Sequence, residues 1–496
     1  MSRNVGAIAV GNIASKVVGL LREVAFAGWF GTGEAATAFR IAQTTYLLPI
    51  QAFIGDSLSA GLLPLYRGQQ QGDGVGARVL LFVAAIYGLV ISLAVSTLLY
   101  VFADNAAALV APGSPTSVIK LSAALLKIMA LATPFFVLSG MLGYIEAAHG
   151  RYGAIAWRPI LLNVGSIGGA AGAVWFRHDE WMAIGILISH VALFAWTLVQ
   201  LRKLTRIWPE RLPAKEAMRA MSDRLLRHLL PLIGLPLVAQ INVLAERVVS
   251  SHIGNGVIPS VDYARFVCDT MVQVIAMPLG VMTMSRLGGS SGQEMRSHVL
   301  SVSRTVLLLA FPIAVSTALS AEEIVRFLFA RGHFNEQSVA MTTSVLIWMG
   351  GALGMTISGY YLIKVLNAEL RNREALLITL AAVVANMLVN LLLWRWLGVR
   401  TAGVGVAVYS ATLFLLCLVR LRLWKDLSPA IAWVLAGCIL QAGLSLWLAG
   451  GLRYPSRLVA NGAIAVAIWV LLVVRVPVLR EAASPVLSRM PFLKRV

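Results

Sequence analysis

The chain has 496 residues, of which 58% are hydrophobic and only 13% charged, with a formal net charge of +19 and a mean hydropathy of +0.80. Soluble domains run at about 45–50% apolar and about 25% charged residues, so a soluble fold is excluded and an all-α polytopic membrane protein is expected. The positive excess follows membrane topology, which leaves no reading as a nucleic-acid binder.

Roughly 20 apolar residues cross the hydrocarbon. On that ruler about fourteen transmembrane helices are predicted: 5–30, 36–64, 78–102, 118–148, 155–176, 181–201, 229–252, 260–286, 299–319, 338–366, 375–397, 401–421, 430–450 and 458–479. The first carries Lys16, Arg22 and Glu23 where hydrocarbon should exclude charge. Ala25-Phe26-Ala27 imitates a signal-peptide cleavage site, but three charges precede it, so the first helix is expected to stay. Span 2 brings Arg40 near its outer start and Asp56 further in, and span 4 brings Glu146 near its inner end. Pro134, Pro236, Pro278 and Pro312 are candidate kink sites.

The interval 202–228 holds Arg202, Lys203, Arg206, Arg211, Lys215, Arg219, Arg224 and Arg227. That density, with the basic tail, puts both termini inside and both basic segments beside anionic lipid heads. Spans 7 and 8 repeat the oddity of span 1, with Glu246 and Arg247 in one and Arg265 and Asp269 in the next. Gly31-Thr32-Gly33 after span 1 matches Gly254-Asn255-Gly256 after span 7. Arg151 and Asn163 around span 5 match Arg371 and Asn386 around span 11. Shared order implies two pseudo-symmetric six-helix lobes, with substrate expected between them near mid-membrane. The domains are therefore 1–205 for the first lobe, 206–228 for a basic cytoplasmic linker, 229–425 for the second lobe, and 426–496 for spans 13–14 and a basic tail. Spans 13 and 14 hold only Gln441 and Asn461 as polar interior residues, and either face a lipid-like ligand or merely buttress the fold.

A charge at the bilayer centre costs about 2.5–3.5 kcal/mol on insertion scales, so such residues mark substrate paths or structural ion pairs. Lys16, Arg22, Arg40, Arg247 and Arg265 stand against Glu23, Asp56, Glu146, Glu246 and Asp269, a balance that does not by itself define an anion site. Concentration in spans 1, 2, 7 and 8 favours a site, and arginine suits bidentate capture of phosphate. Lys16 and Glu23 share a helical face, and Arg265 and Asp269 are one turn apart. Lys127 is a weaker candidate for the cavity, and Lys120 is expected to snorkel outward. Cys268, Cys417 and Cys438 read as small buried hydrophobes, and His190 as a satisfied interior histidine. No P-loop, HExxH helix or aspartate pair for magnesium is present, so neither metal nor cofactor nor catalytic residue is assigned and an enzyme is not expected.

Ser15-Lys16-Val17-Val18-Gly19-Leu20-Leu21-Arg22-Glu23, followed by Phe30-Gly31-Thr32-Gly33, resembles the opening of the MurJ/MviN family of lipid II flippases in the MOP exporter superfamily. Ala111-Pro112-Gly113, Gly150-Arg151-Tyr152 with Pro159-Ile160-Leu161-Leu162-Asn163, Phe327 to Phe334, and Lys364-Val365-Leu366 with Arg371 and Arg373 look like that family too. The resemblance implies a MOP/MATE-like fold in the bacterial inner membrane. It implies a monomeric flippase carrying an undecaprenyl-pyrophosphate-linked glycan to the periplasmic leaflet by alternating access, the lipid tail lying along spans 13 and 14. Carried over position by position, Lys16 stands for a family arginine, Arg22 with Glu23 matches its arginine–acid pair and Asp269 matches an acid; with Arg40, Arg247 and Arg265 from the charge pattern, these are the expected substrate-binding residues. Three positions depart from the family pattern: Thr37 stands for an acid, Ile50-Gln51 for a basic pair, and Tyr263-Ala264-Arg265-Phe266 shifts an arginine by one place. A flippase for another lipid-linked oligosaccharide is the main alternative. A multidrug exporter of the same superfamily comes next, then a membrane glycosyltransferase, for which the 320–337 outer loop is short.

Overall fold

The computed structural model describes residues 2–53, 55–70, 75–202, 213–229, 234–287, 292–452 and 454–487. Side-chain surroundings are described for 15–51, 61–70, 76–202, 213–229, 236–275, 293–452 and 454–483. Hydrocarbon offers no partner to a backbone N–H or C=O, so a single span must satisfy them internally as helix. Among the described residues there is accordingly no strand.

In chain order the helices are α1 Ser2–Phe30, α2 Glu34–Phe53, α3 Gly55–Gln70, α4 Val75–Val101, α5 Ala103–Val110, α6 Thr116–Ala130, α7 Thr133–Ala148, α8 Gly153–Phe176, α9 Glu180–Arg202, α10 Lys215–Leu229 and α11 Gly234–Ile253. Then come α12 Val257–Leu287, α13 Gly292–Leu319, α14 Ala321–Phe329, α15 Glu336–Gly351, α16 Leu353–Ala368, α17 Asn372–Leu397, α18 Thr401–Arg420, α19 Trp424–Ala449, α20 Ser456–Arg475 and α21 Pro477–Leu487. Every predicted span falls on one helix or on two consecutive ones. By length and apolarity alone seven described helices could cross a membrane, or up to nine if each bent pair counts as one span. The charge-bearing α1, α2, α11 and α12 are not among them.

Three predicted spans need redrawing. Span 4 is α6 and α7, bent by 47°, with Pro134 in the first turn of α7. Span 10 is α15 and α16, bent by 48°. Span 14 ends at Arg475, because Val476 is extended as a residue before proline prefers. Of the other kink candidates, Pro312 sits within a continuous α13 and Pro236 in the tolerant first turn of α11. Pro278 lies outside the residues whose side chains are described.

The chain forms two compact units, Met1–Pro259 with Arg331–Phe334, and Ser260–Ala330 with Asn335–Val496. They are drawn by compactness, whereas the predicted lobes are drawn by internal repeat. In the first unit, Leu62, Leu80, Leu81, Leu142 and Ile145 form a core that Leu225 of α10 joins. The Tyr87 and Ser222 hydroxyls, 2.6 Å apart, fix α10 on α4, leaving Arg219, Arg224 and Arg227 exposed. Small residues let α8 and α9 touch backbone to backbone: a Cβ on Gly169 would lie 2.6 Å from the Trp181 carbonyl oxygen.

In the second unit α13 is the spine. Val306, Leu307, Ile357, Leu366, Cys417 and Leu418 are buried together. Gln441 of α19 donates to Ser316 at 2.8 Å and accepts from the Trp469 indole of α20 at 2.8 Å. Asn461 donates to Ser320 at 2.9 Å. Gln441 therefore fastens span 13 to α13 and Asn461 fastens span 14 to Ser320, between α13 and α14, while Ile439, Leu446, Trp447, Val459 and Val466 stay exposed.

The internal repeat is written into the backbone. Gly31 between α1 and α2 has φ +57°, and the equivalent turn between α11 and α12 uses Gly254 and Gly256 with φ of 151° and 80°. Gly150 ends α7 with φ +75° and Leu370 follows α16 with φ +59°. Arg177 after α8 has φ +57° and Gly398 after α17 has φ +53°. The bent fourth spans complete the match.

Candidate functional site

Glu23 lies on α1 with its carboxylate buried, 2% exposed. One oxygen accepts from Nη2 of Arg22 and the other from Nη2 of Arg40 on α2. The Gly31 turn folds α2 back against α1 and so brings Arg40, 17 residues away in sequence, to the same carboxylate. Arg40 is 6% exposed and stacks over the Phe26 ring at 5.1 Å, with Phe39 against Phe26 at 4.9 Å. Arg22 remains partly open, its side chain 25% exposed. Its Nη1 donates to Asn163 Oδ1 of α8 at 2.8 Å, and Asn163 Nδ2 reaches the Ser15 carbonyl at 3.3 Å.

Two guanidiniums thus share one carboxylate, and the three-residue cluster carries a surplus positive charge with an accessible edge. Such an arrangement can take the negative oxygens of a phosphate or pyrophosphate, for which a fork of N–H donors is geometrically suited.

The C-terminal end of α1 is held by Arg331–Phe334. The His333 N–H donates to the Gly28 carbonyl at 2.8 Å, and Gly332, φ +59°, has no room for a side chain beside that carbonyl. The last four residues of that motif, Arg331 to Phe334, therefore help to position the helix that carries Glu23.

The remaining predicted residues distribute as follows. Lys16 is half-buried on α1, in the first unit. Glu246 and Arg247 are both buried on α11, with Arg247 Nη1 at 3.4 Å from the Ile258 carbonyl oxygen. Arg265 is half-buried and Asp269 exposed, one turn apart on α12 in the second unit. Glu146 accepts the Ala154 N–H at 3.0 Å and so caps the start of α8, a structural task. Lys127 faces Asp104 at 3.6 Å in an exposed pair rather than a cavity, and Lys120 is exposed. Asp56 lies outside the residues whose side chains are described. The three cysteines are buried thiols.

Two partners of the cluster were not singled out for this role in the sequence. Asn163 carried a signal as a repeat marker, but its use as acceptor for Arg22 depends on how α8 packs on α1. Phe26 is one more aromatic in an apolar run until Arg40 is seen above it.

A helical membrane protein with this repeat and these bent spans has the fold of a MOP-superfamily transporter. It superposes with a TM-score of 0.68 on a multidrug resistance MATE family transporter in its inward-facing conformation, covering 83% of this chain and 96% of that one at 15% identity. For lipid II flippase MurJ in an inward closed conformation the TM-score is 0.81, covering 94% and 97% at 18% identity. The family model described as lipid II flippase MurJ matches residues 26–462, and the chain belongs to that family. The match begins at Phe26, so Lys16, Arg22 and Glu23 stand on the sequence resemblance and on their geometry. A probable lipid II flippase MurJ of Bdellovibrio bacteriovorus is 26% identical over 462 residues, 87% of this chain and 85% of that protein. The lipid II flippase MurJ of Burkholderia cenocepacia is 23% identical over 473 residues, 88% of each.

Proposed function

We propose that this chain is a flippase moving an undecaprenyl-pyrophosphate-linked glycan precursor, lipid II of peptidoglycan synthesis, from the cytoplasmic to the periplasmic leaflet by alternating access. It works as a single polypeptide in the bacterial inner membrane, both termini cytoplasmic, as a transporter and not an enzyme. The observation that carries this reading is the buried Glu23 carboxylate shared by Arg22 and Arg40, a net cation in a membrane helix with one guanidinium still open. Arg22 and Arg40 take the pyrophosphate, and Lys16, Arg247 and Arg265 add positive charge along its path. Glu23 and Asp269 compete for those cations and release the cargo. The lobes are 1–205 and 229–425, and the exposed apolar faces of α19 and α20 accommodate the lipid tail.

One observation favours a different lipid-linked oligosaccharide as cargo. Thr37, where the family pattern has an acid, spends its hydroxyl on the Gly33 carbonyl at 3.0 Å, and Ile50, where a base is expected, is buried apolar surface.

The deciding experiment expresses the chain in a strain depleted of its own lipid II flippase, beside an Arg22→Ala variant. Growth with the wild-type chain and none with the variant supports lipid II. Normal membrane expression without growth, joined to rescue of an exopolysaccharide or O-antigen flippase mutant, moves the cargo to the second class. Efflux of cationic dyes in place of either would make it a drug exporter.

A further inference from the structure

A second polar cluster in the first unit uses none of the residues above. Arg158, in the first turns of α8, is half-buried and sets its guanidinium over the Phe136 ring of α7 at 4.4 Å. Gly140, one turn along α7, leaves the space, since a Cβ there would lie 3.3 Å from Arg158 Nη1. Phe136 packs against His190 of α9 at 5.1 Å. Tyr46 of α2 closes the group, 6.3 Å from Phe136 and 6.1 Å from His190. Arg158 is within electrostatic reach of Tyr46, Tyr144 and His190.

Arg22 and Arg40 each have the Glu23 carboxylate; among the described residues Arg158 pairs with no carboxylate and lies over the Phe136 ring. Beside it are two sealed and unsatisfied polar atoms. Tyr46 is 1% and His190 4% exposed, and neither Tyr46 Oη nor His190 Nε2 has a protein partner among the described residues. The His190 Nδ1 hydrogen goes to the Ile186 carbonyl at 2.8 Å, which leaves Nε2 as a lone-pair acceptor. Buried polar atoms in native proteins are otherwise almost always satisfied.

The set has a definite chemical complement. A guanidinium without a carboxylate calls for negative charge, the Tyr46 hydroxyl can donate, and His190 Nε2 needs a hydrogen from its partner. Chloride supplies charge but no hydrogen, and water supplies a hydrogen but no charge. We propose that Arg158, Tyr46 and His190 bind a small oxyanion that carries a proton of its own, of the dihydrogen phosphate or hydrogencarbonate class. The ligand's charged oxygens meet Arg158 and Tyr46, and its O–H meets His190 Nε2. Arg158, the half-buried member, is the end through which the ligand enters.

The test uses the full-length chain in phosphatidylcholine nanodiscs, titrated calorimetrically with inorganic phosphate, hydrogencarbonate, chloride and gluconate. Saturable binding of phosphate or hydrogencarbonate is expected, at least tenfold tighter than chloride, and the tighter of the two identifies the ligand. Arg158→Gln should weaken it at least tenfold, and Tyr46→Phe and His190→Phe severalfold each. Loss in the Arg158 variants separates this site from the Glu23 cluster, and Lys120→Gln, at an exposed position, should leave binding within twofold. Should Arg158→Gln not fold, Arg158→Lys and Gly140→Ala, which crowds Nη1, replace it with the same expected weakening. No saturable binding, equal binding of chloride, or full binding by the folded Arg158 variants would overturn the assignment.

Discussion

Replacing Glu23 by Gln keeps the side-chain volume and one acceptor oxygen but removes the charge that Arg22 and Arg40 share. Arg40 is left at 6% exposure without that carboxylate, its contacts including the Phe26 ring and a long contact to Gln43 at 3.5 Å. Removing one member of a buried ion pair costs roughly 3–5 kcal/mol, because the other charge stays buried and uncompensated. The retained amide oxygen places Glu23→Gln toward the low end, at about 3 kcal/mol. Arg22→Ala differs: the buried Glu23–Arg40 pair survives, Arg22 is partly open, and the loss is about 1 kcal/mol or less. Glu23→Gln/Arg40→Gln removes both charges and recovers most of the loss. An SDS titration of purified protein in micelles, followed by tryptophan fluorescence, measures all three, and a leaflet-exposure assay measures flipping. Stability and transport should separate, with Arg22→Ala stable and inactive. A Glu23→Gln protein as stable as wild type, or less affected than Arg22→Ala, would refute the claim that this carboxylate holds the cluster.

Gly31→Ala must place an alanine at φ +57° with its Cβ 2.3 Å from the His333 carbonyl oxygen; the left-handed backbone alone costs about 1–2 kcal/mol, and the same titration should show at least that loss. Gln441→Leu strands the buried Trp469 indole N–H and the Ser316 hydroxyl, and should cost about 1–3 kcal/mol; an unchanged midpoint would mean that α19 and α20 are fastened otherwise. Outside the membrane, the hydrogen bond from Arg326 holds the Glu336 carboxyl below its ordinary 4.5. Its contribution to stability is present above the unfolded carboxyl value and lost as pH falls through the lower folded one. Wild type and Glu336→Gln should therefore converge on acidification from about pH 6 to about pH 2, and a gap that persists in acid would assign the effect to something other than ionisation.

The spans, the intramembrane charges and the repeat were legible because each has a linear signature: twenty apolar residues, a charge among them, and glycines at equal places in two halves. Breaks within spans were legible only in part: Pro134, a candidate kink, stands just after the first, and no proline marks the second. Leu131–Ala132 and Ala352 interrupt helices without interrupting apolarity, so the 47° and 48° bends leave no trace in hydropathy. Close approach causes the second: Gly350 lets α15 lie against Thr317 and Gly354 lets α16 lie against the Phe311 ring, where a Cβ would sit 2.7 and 2.8 Å away. The site was half legible. Arg22 beside Glu23 is visible in sequence, but Arg40 reaches that carboxylate only because Gly31 turns the chain. Arg158 was hidden by its position near the end of span 5, where an arginine reads as part of the inner positive rim. Its partners Tyr46, Phe136 and His190 come from three other helices, and no sequence period connects them.

On the proposed reading of the Glu23 cluster as a pyrophosphate site, a carrier must return empty as well as cross loaded, and that requirement accounts for an acid among the cations. Two arginines without Glu23 would hold a pyrophosphate strongly and, once emptied, would lack the carboxylate that they share. Glu23 reduces the empty cluster to a single surplus charge, and each charge moved through 100 mV is worth about 2.3 kcal/mol. Under that proposal arriving pyrophosphate would have to take N–H donors away from the carboxylate, and departing pyrophosphate would be replaced by it. The carboxylate thus lowers affinity in exchange for release, because a ligand shifts a carrier only by its differential affinity for the two states. Glu23→Gln should therefore bind a soluble pyrophosphate more tightly than wild type, while flipping falls even at temperatures where the variant stays folded. Weaker pyrophosphate binding by a folded Glu23→Gln protein would mean that Glu23 supports the anion site instead of competing with it.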